Sequence, residues 1–118
     1  MRYLCLVYFE PSAMEALSPS EKEVLDRDSI AYDQELTRSG HYITSDALQP
    51  VSTATTIRVR RGRKSASDGP FAETKEHLGG FILINAANME EAAEIASKIP
   101  MARVGSIEVR PTMKIDAK

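Results

Sequence analysis

An unbroken apolar run, Tyr3 to Phe9 (YLCLVYF), limits what this chain can form. A strand with one face in water alternates apolar and polar residues, whereas this run is apolar at every position. It is much shorter than a membrane span and does not have the pattern of a signal peptide. We therefore expect a strand buried on both faces of a sheet, in a cytoplasmic protein with no membrane contact.

Other strands follow from similar patterns. Phe81 to Ile84 is a second fully apolar run, and His41 to Ala47 reads as a short strand. Ser52 to Arg60 alternates apolar and basic residues, and the turn Arg61 to Lys64 predicts its return as a β-hairpin. The basic residues of this hairpin fit an anion-binding patch or, more commonly, a charged edge that resists aggregation. The final strand, Gly105 to Arg110, also alternates.

Two helices have clear boundaries in the sequence. Ser18, followed by proline and by Glu21, forms a capping box, and Gly40 is the expected stop of that helix. Asn88 caps the second helix, with Glu91 reaching back, and Pro100 ends it. The predicted buried positions are Leu25, Tyr32 and Leu36 in the first helix and Met89, Ala92, Ala93, Ala96 and Ile99 in the second.

The order of these elements predicts the fold class. Strand, helix and strand are followed by a hairpin and then by strand, helix and strand again. This is an α+β, ferredoxin-like split β-α-β arrangement with an inserted β-hairpin. The 118 residues suit a single domain, 1–118, with one core.

Composition excludes some functions. The net charge of −2 gives the molecule no general attraction for nucleic acid. The single cysteine, Cys5, lies inside the apolar run, so we expect a small buried side chain rather than a reactive thiol. His41 and His77 have no partners at metal-binding spacing, and no glycine-rich phosphate loop is present. No metal and no cofactor is therefore indicated.

The stretch Asp68-Gly69-Pro70-Phe71 predicts a corner. Proline fixes its own φ and restricts the residue before it, and an aspartate at such a place can bond the nearby backbone. We expect a rigid, partly buried corner. Gly79 and Gly80, which follow, allow the chain to turn or to pack closely.

Residues 68–71 (DGPF), 73–80 (ETKEHLGG) and 108–111 (EVRP) resemble the DGPF group of the YCII-related proteins. The similarity extends from the opening YLCLVY to EVRPTMKI. It implies an antiparallel sheet with two helices on one face, which pairs with a second copy into a dimeric α/β barrel. It implies little about activity. Genes of this group often lie beside sigma factors of the extracytoplasmic-function type, which suggests a regulatory or stress setting.

The wider family includes members with a candidate catalytic pair, a histidine in the first helix and an aspartate before a proline after the last helix. The best-matching positions here are Ser29 and Ile99, and neither can act as a general base. A register shift of one would place Asp28 at the first position. The histidine that commonly precedes the glycine of the last strand is replaced by Val104.

The remaining candidates are ionisable residues, for most of which we expect a structural ion-pair network. We predict a non-catalytic or weakly catalytic homodimer that binds a small anionic ligand. The alternative is a small-molecule lyase, isomerase or hydrolase, with Asp68 or Glu108 as general base. The predicted ligand-binding residues are Arg103, Arg110, Lys75 and Glu73, and the rest of the cluster is Glu76 and His77.

The apolar run predicts the partner as well. In a ferredoxin-like domain the helices cover one face of the sheet, and both alternating sets of the run are apolar. One set comprises Leu4, Leu6 and Tyr8. An apolar surface of this kind usually marks an interface, and a two-fold axis can bury it against itself. We therefore expect a homodimer formed through the sheet face.

Overall fold

The computed structural model describes residues 1–115. Its elements, in chain order, are β1 (Arg2–Phe9), α1 (Pro11–Glu15), α2 (Pro19–Arg38), β2 (Tyr42–Ala47), β3 (Thr55–Arg60), β4 (Arg63–Asp68), β5 (His77–Asn85), α3 (Met89–Ser97) and β6 (Gly105–Pro111). Short 3₁₀ helices occupy Val51–Thr53 and Pro100–Arg103. The predicted α+β element order is confirmed.

The main sheet has four antiparallel strands in the order β2-β5-β1-β6. This is the ferredoxin-like strand order, with β3 and β4 inserted between its second and third strands. In register, Cys5 of β1 lies between Ile82 of β5 and Val109 of β6. The neighbouring residue Leu6 lies between Phe81 and Glu108 and therefore projects from the opposite face.

The core lies between one sheet face and the helices α2 and α3. From the sheet it takes Tyr3, Cys5, Ile82 and Ile84, and Cys5 and Ile84 are fully buried. Burial raises the pKa of the Cys5 thiol to about 11, so the group is an inert core side chain as predicted. The helical contribution is Leu36, Ala92, Ile95, Ala96 and Ile99.

The opposite face, which we call the open sheet face, carries no helix in the described part of the chain. Its apolar residues are only half-buried: Leu4, Leu6, Tyr8, Phe81 and Leu83. Within one chain, β1 is therefore buried on one face only, and burial of its second face against a second copy stays a prediction. The helices cover only the face that carries Tyr3, Cys5 and Val7.

The helix starts confirm the capping predictions. Ser18 Oγ accepts from the Glu21 N–H at 3.1 Å, and Glu21 Oε1 accepts from the Ser18 N–H at 2.9 Å. Asn88 Oδ1 accepts from the N–H of Glu91, whose own carboxylate reaches past the cap to Ala87 N.

The stripe predicted for α3 needs correction. Met89 is 41% exposed and Ala93 is exposed, whereas Ile95 is buried. The buried face is Ala92, Ile95 and Ala96, continued by Ile99 beyond the helix end at Ser97. The many alanines made two faces look alike, and the larger Ile95 identifies the correct one.

β3 and β4 form a separate two-stranded sheet, which we call the arm (Thr55–Asp68). Its turn lies at Arg61 and Gly62, both with positive φ, as a type I′ hairpin requires. Ile57 and Val59 are 55% and 57% exposed. The predicted hairpin is confirmed, although its apolar side chains pack on no main-sheet core in the described chain.

The corner at Asp68 is exposed rather than partly buried. Phe71 is 76% exposed, with the Arg58 guanidinium 5.3 Å from its ring centre. The corner is held through Gly69, whose N–H donates to Ala54 O at 2.7 Å and whose carbonyl accepts from Thr56 Oγ1 at 2.9 Å. Among the described residues no side-chain bond of Asp68 contributes, because the neighbouring strands already supply these backbone partners.

The paired glycines do pack closely. A Cβ on Gly80 would lie 2.8 Å from the backbone oxygen of Asp46 and 3.3 Å from the Cα of Ala47 on β2. A Cβ on Gly79 would meet the ring of Phe9. Side chains here would separate β5 from its neighbours. None of the helices within residues 1–115 combines the length and apolar character needed to cross a membrane.

Candidate functional site

A cavity of about 330 Å³ lies between α2 and the helix-covered face of the main sheet. We call it the helix–sheet cavity. Its size is at the lower end of the range for ligand sites, about 300–1,000 Å³. Its lining comes from α1, α2, β1, β2, β5 and the 3₁₀ helix after α3: Val7, Phe9, Met14, Asp26, Ser29, Tyr32, Asp33, Ser45, Asp46, Ala47, Leu48, Gly79, Gly80, Phe81, Ile82, Ile99, Pro100 and Met101.

Asp33 is the half-buried carboxylate of this cavity. Ser45 Oγ on β2 donates to Asp33 Oδ2 at 3.4 Å and lies 2.6 Å from the hydroxyl of Tyr42. Because the single proton of Ser45 is directed to Asp33, Tyr42 donates to Ser45. A chain of polar contacts thus leads from Tyr42 through Ser45 to the carboxylate, and its last contact is a long one.

The cavity changes the acidity of that carboxyl group. Burial raises the pKa of Asp33 above its ordinary value, and the hydrogen bond from Ser45 acts in the opposite direction. Carboxyl groups with raised pKa values in clefts are candidate functional groups, although structural sites also perturb acidity. Asp33 therefore combines position, hydrogen bonding and altered acidity in one place.

Helical spacing brings further polar residues to the same wall. Asp26, Ser29 and Asp33 are separated by three and four positions, which puts them on one face of α2. Ser29 Oγ donates to Leu25 O one turn back, at 2.8 Å. Tyr32 donates from its hydroxyl to Ile95 O on α3 at 2.7 Å, and burial raises its pKa to about 12.

Two other depressions have simpler linings. One, about 390 Å³, lies where the start of α2 meets Arg103 and Val104. The other, about 620 Å³, is a wide recess beside Tyr8 and Lys75. Their acidic groups are already engaged, Glu21 in the cap of α2, Glu10 with Lys75 and Glu76 with Ser106. The helix–sheet cavity combines apolar walls with a half-buried carboxylate and is the better candidate site.

The ionisable residues singled out from the sequence do not converge on one place. Arg103 Nη1 donates to Asp28 Oδ2 at 2.9 Å on the helical side of the sheet. Lys75 Nζ lies 3.8 Å from Glu10 Oε1, and Ser106 Oγ donates to Glu76 Oε1 at 3.2 Å. Such exposed pairs contribute little to stability, with typical values of about 0–1 kcal/mol.

The two predicted general bases lie apart as well. Asp68 ends the arm, whereas Glu108 and Arg110 are exposed on the open sheet face, opposite Leu6 and Leu4 of β1. Glu73 is exposed in the segment between the arm and β5. None of these residues, nor Arg103 or Lys75, lines the helix–sheet cavity. Their functional roles stay predictions.

The structure does bring Ser29 and Ile99 together, since both line the helix–sheet cavity. These are the positions that the resemblance matched to a candidate catalytic pair. Sequence reasoning passed over Asp33, although a signal was present. Asp33 lies four residues after Ser29 and three before Leu36, on the inward side of an amphipathic helix where a carboxylate is unusual.

Comparison with known proteins agrees with the fold. The YCII-related domain family matches residues 1–116. An uncharacterised protein of Rhizobium meliloti (strain 1021) is 39% identical over 113 residues, covering 94% of this chain and 91% of the relative. A 5-chloro-2-hydroxyhydroquinone dehydrochlorinase of Burkholderia phenoliruptrix AC1100, solved in complex with 2,5-dihydroxybenzoquinone, is similar in fold.

That enzyme shares 13% identity at a TM-score of 0.56, over 96% of this chain and 94% of its own. At this identity the similarity concerns the fold alone. The family match over nearly the whole chain and the relative of similar length agree with each other. The chain therefore belongs to the YCII-related family.

Proposed function

We propose that this chain is a small-molecule-binding protein that works as a homodimer, with its ligand in the helix–sheet cavity. The observation that carries the proposal is the composition of this cavity. Apolar walls surround a few polar groups, and one of these, Asp33, has a raised pKa. Ligand sites commonly have this arrangement, because apolar surface supplies affinity and a few polar groups supply orientation.

The open sheet face supports the homodimer. Leu4 and Leu6 of β1 lie beside Leu83 and Phe81 of β5, and all four are half-exposed in the single chain. A second copy related by a two-fold axis covers this surface with the same surface. The charged residues Glu108 and Arg110 then lie at the margin of the interface.

Ligand-binding is tested by narrowing the cavity. Ser29→Leu adds an apolar side chain to its lining, whereas Gln34→Leu adds the same side chain to an exposed position of the same helix. Single-ring fragments of differing charge are titrated into isotope-labelled protein and followed by NMR. We expect fragments to shift the resonances of cavity residues in the parent and in Gln34→Leu, and to lose this effect in Ser29→Leu. Binding that is identical in all three proteins would overturn the proposal.

A second candidate, a small-molecule enzyme, is favoured by Asp33 itself. A carboxyl group with a raised pKa beside an apolar cavity suits general acid–base chemistry. The dehydrochlorinase of similar fold provides a first compound to test, 5-chloro-2-hydroxyhydroquinone. Chloride release that depends on the chain and is absent in Asp33→Asn supports an enzyme, and equal release without protein rejects this substrate.

A further inference from the structure

The charged groups that line the helix–sheet cavity all have the same sign. Asp33 lies on its wall, and the exposed carboxylate Asp26 also belongs to the lining. Asp46 is in register with Phe81, so its carboxylate projects from the open sheet face instead. None of the described lining residues is a lysine, an arginine or a histidine. An anionic ligand would therefore meet carboxylates without any balancing cation.

The rest of the lining suits an apolar ligand body. Val7, Phe9, Ile82 and Met101 supply aliphatic and aromatic surface from β1, β5 and the 3₁₀ helix. Asp33 Oδ2 accepts from Ser45, while Oδ1 accepts no hydrogen bond from any residue that the structure describes. One acceptor therefore remains for a ligand at the edge of an apolar surface.

We propose that the helix–sheet cavity takes a small organic amine, with its ammonium group against the Asp33 carboxylate and its apolar body among Val7, Phe9 and Met101. This inference rests on the proposed function, because it names the ligand class of the same cavity. The cavity and its apolar walls bind the apolar body of the ligand, and the Asp33 carboxylate favours a ligand that carries a positive charge. An N⁺–H···O⁻ hydrogen bond is roughly twice as strong as one between neutral groups.

The charge distribution of the chain also favours a cationic ligand. The arm contains five basic residues and one acidic residue, a net charge of +4. Since the whole chain carries −2, the remainder carries −6. The cavity lies in this negative remainder, whose field attracts cations and repels anions at long range.

Binding of an amine is linked to the protonation of Asp33. The ion pair requires the ionised carboxylate, so affinity for the amine rises with pH until Asp33 is fully ionised and is then constant below the pKa of the amine. The other titratable side chains facing the cavity are Asp26 and Tyr32 on α2, and Tyr42 on β2 reaches Asp33 through Ser45. The described lining from β1, β5 and the 3₁₀ helix adds none.

The experiment uses three probes that share one ring and differ in charge: 2-phenylethylamine, 2-phenylethanol and phenylacetate. Dissociation constants are measured by NMR titration at pH 7.5 for the parent, for Asp33→Asn and for Glu23→Gln. Glu23 is an exposed carboxylate on the same helix outside the cavity, so its variant controls for the loss of one negative charge. We expect the parent to bind the amine about tenfold or more tightly than the alcohol, and phenylacetate most weakly.

Asp33→Asn is expected to remove the preference for the amine and to leave binding of the alcohol within about twofold, while Glu23→Gln keeps the parent pattern. If no probe binds in the cavity, the ligand site itself is wrong and the proposed function fails. If the alcohol and the acid bind as tightly as the amine, or if Asp33→Asn retains the preference, the cavity is a ligand site but the assignment to amines is overturned.

Discussion

Leu6→Asp tests whether the open sheet face forms the dimer interface. Leu6 lies in register between Phe81 and Glu108 and points away from the core, so a carboxylate here leaves the packing of the single chain largely intact. Val7, its neighbour, is 7% exposed on the helix-covered face, and a change there would disturb the core instead. Leu6→Asp therefore tests dimer formation without disturbing the core of the single chain.

The expected effect follows from burial and charge. Complete burial of a leucine side chain is worth about 1.5–3 kcal/mol, and Leu6 is already half-buried, so each copy loses about 1 kcal/mol of interface burial. The two-fold axis doubles this loss, and burying an aspartate in each copy adds several kcal/mol. A total of at least about 4 kcal/mol corresponds to roughly a thousandfold weaker dimer.

Sedimentation equilibrium across micromolar concentrations measures the effect, with circular dichroism to verify the fold. Ile30→Asp on α2 is the matched control, since Ile30 is 61% exposed and lies on the helical side of the protein. We expect a dimeric parent, a dimeric control and a folded, monomeric Leu6→Asp. A parent that stays monomeric at these concentrations, or a variant as dimeric as the parent, would refute the reasoning.

Three further predictions concern stability and binding. Gly80→Ala places a Cβ about 2.8 Å from the Asp46 backbone oxygen and should lower the free energy of unfolding by about 1–3 kcal/mol, as measured by urea denaturation. An unchanged urea midpoint would show that β2 and β5 move apart to accept the methyl group at no cost. Burial raises the pKa of Asp33 above its ordinary 3.8, so the folded chain binds more protons than the unfolded chain between the unfolded and the folded pKa. The contribution of Asp33 to the free energy of unfolding therefore falls as the pH rises between these two values. Asp33→Asn should therefore reduce the loss of stability with rising pH, so that the variant gains stability relative to the parent between pH 3 and neutral pH. Stability curves of variant and parent that run parallel over this pH range would contradict this. If the predicted anion site exists on the open sheet face, small organic acids or phosphate should raise the melting temperature of the parent but not of Arg110→Ala, and the absence of any such shift would remove that prediction.

The fold was largely predictable because its determinants are local and periodic. The capping box at Ser18 and the alternation in β6 each specify one element from a few neighbouring residues. The errors arose where one pattern fits two arrangements. An alanine-rich helix left its buried face ambiguous, so Ile95 was overlooked, and the Asp68 corner was expected to pack although its strands extend away from the core.

The candidate site was less predictable because it depends on contacts between distant segments. Asp33 meets Ser45 only because β2 lies at the edge of the sheet beside α2. Arg103 and Arg110 are close in sequence, yet Arg103 pairs with Asp28 on the helical side while Arg110 projects from the other face. Spacing along the chain indicates which residues share a face of one element, and the topology decides which elements share a cavity.

A crystal structure of the protein soaked with 2-phenylethylamine shows whether the helix–sheet cavity holds a ligand through Asp33. We expect the ring between α2 and the sheet, and the nitrogen about 2.7–3.0 Å from an oxygen of Asp33. Density for the amine on the arm or on the open sheet face, with the helix–sheet cavity unfilled, would contradict it.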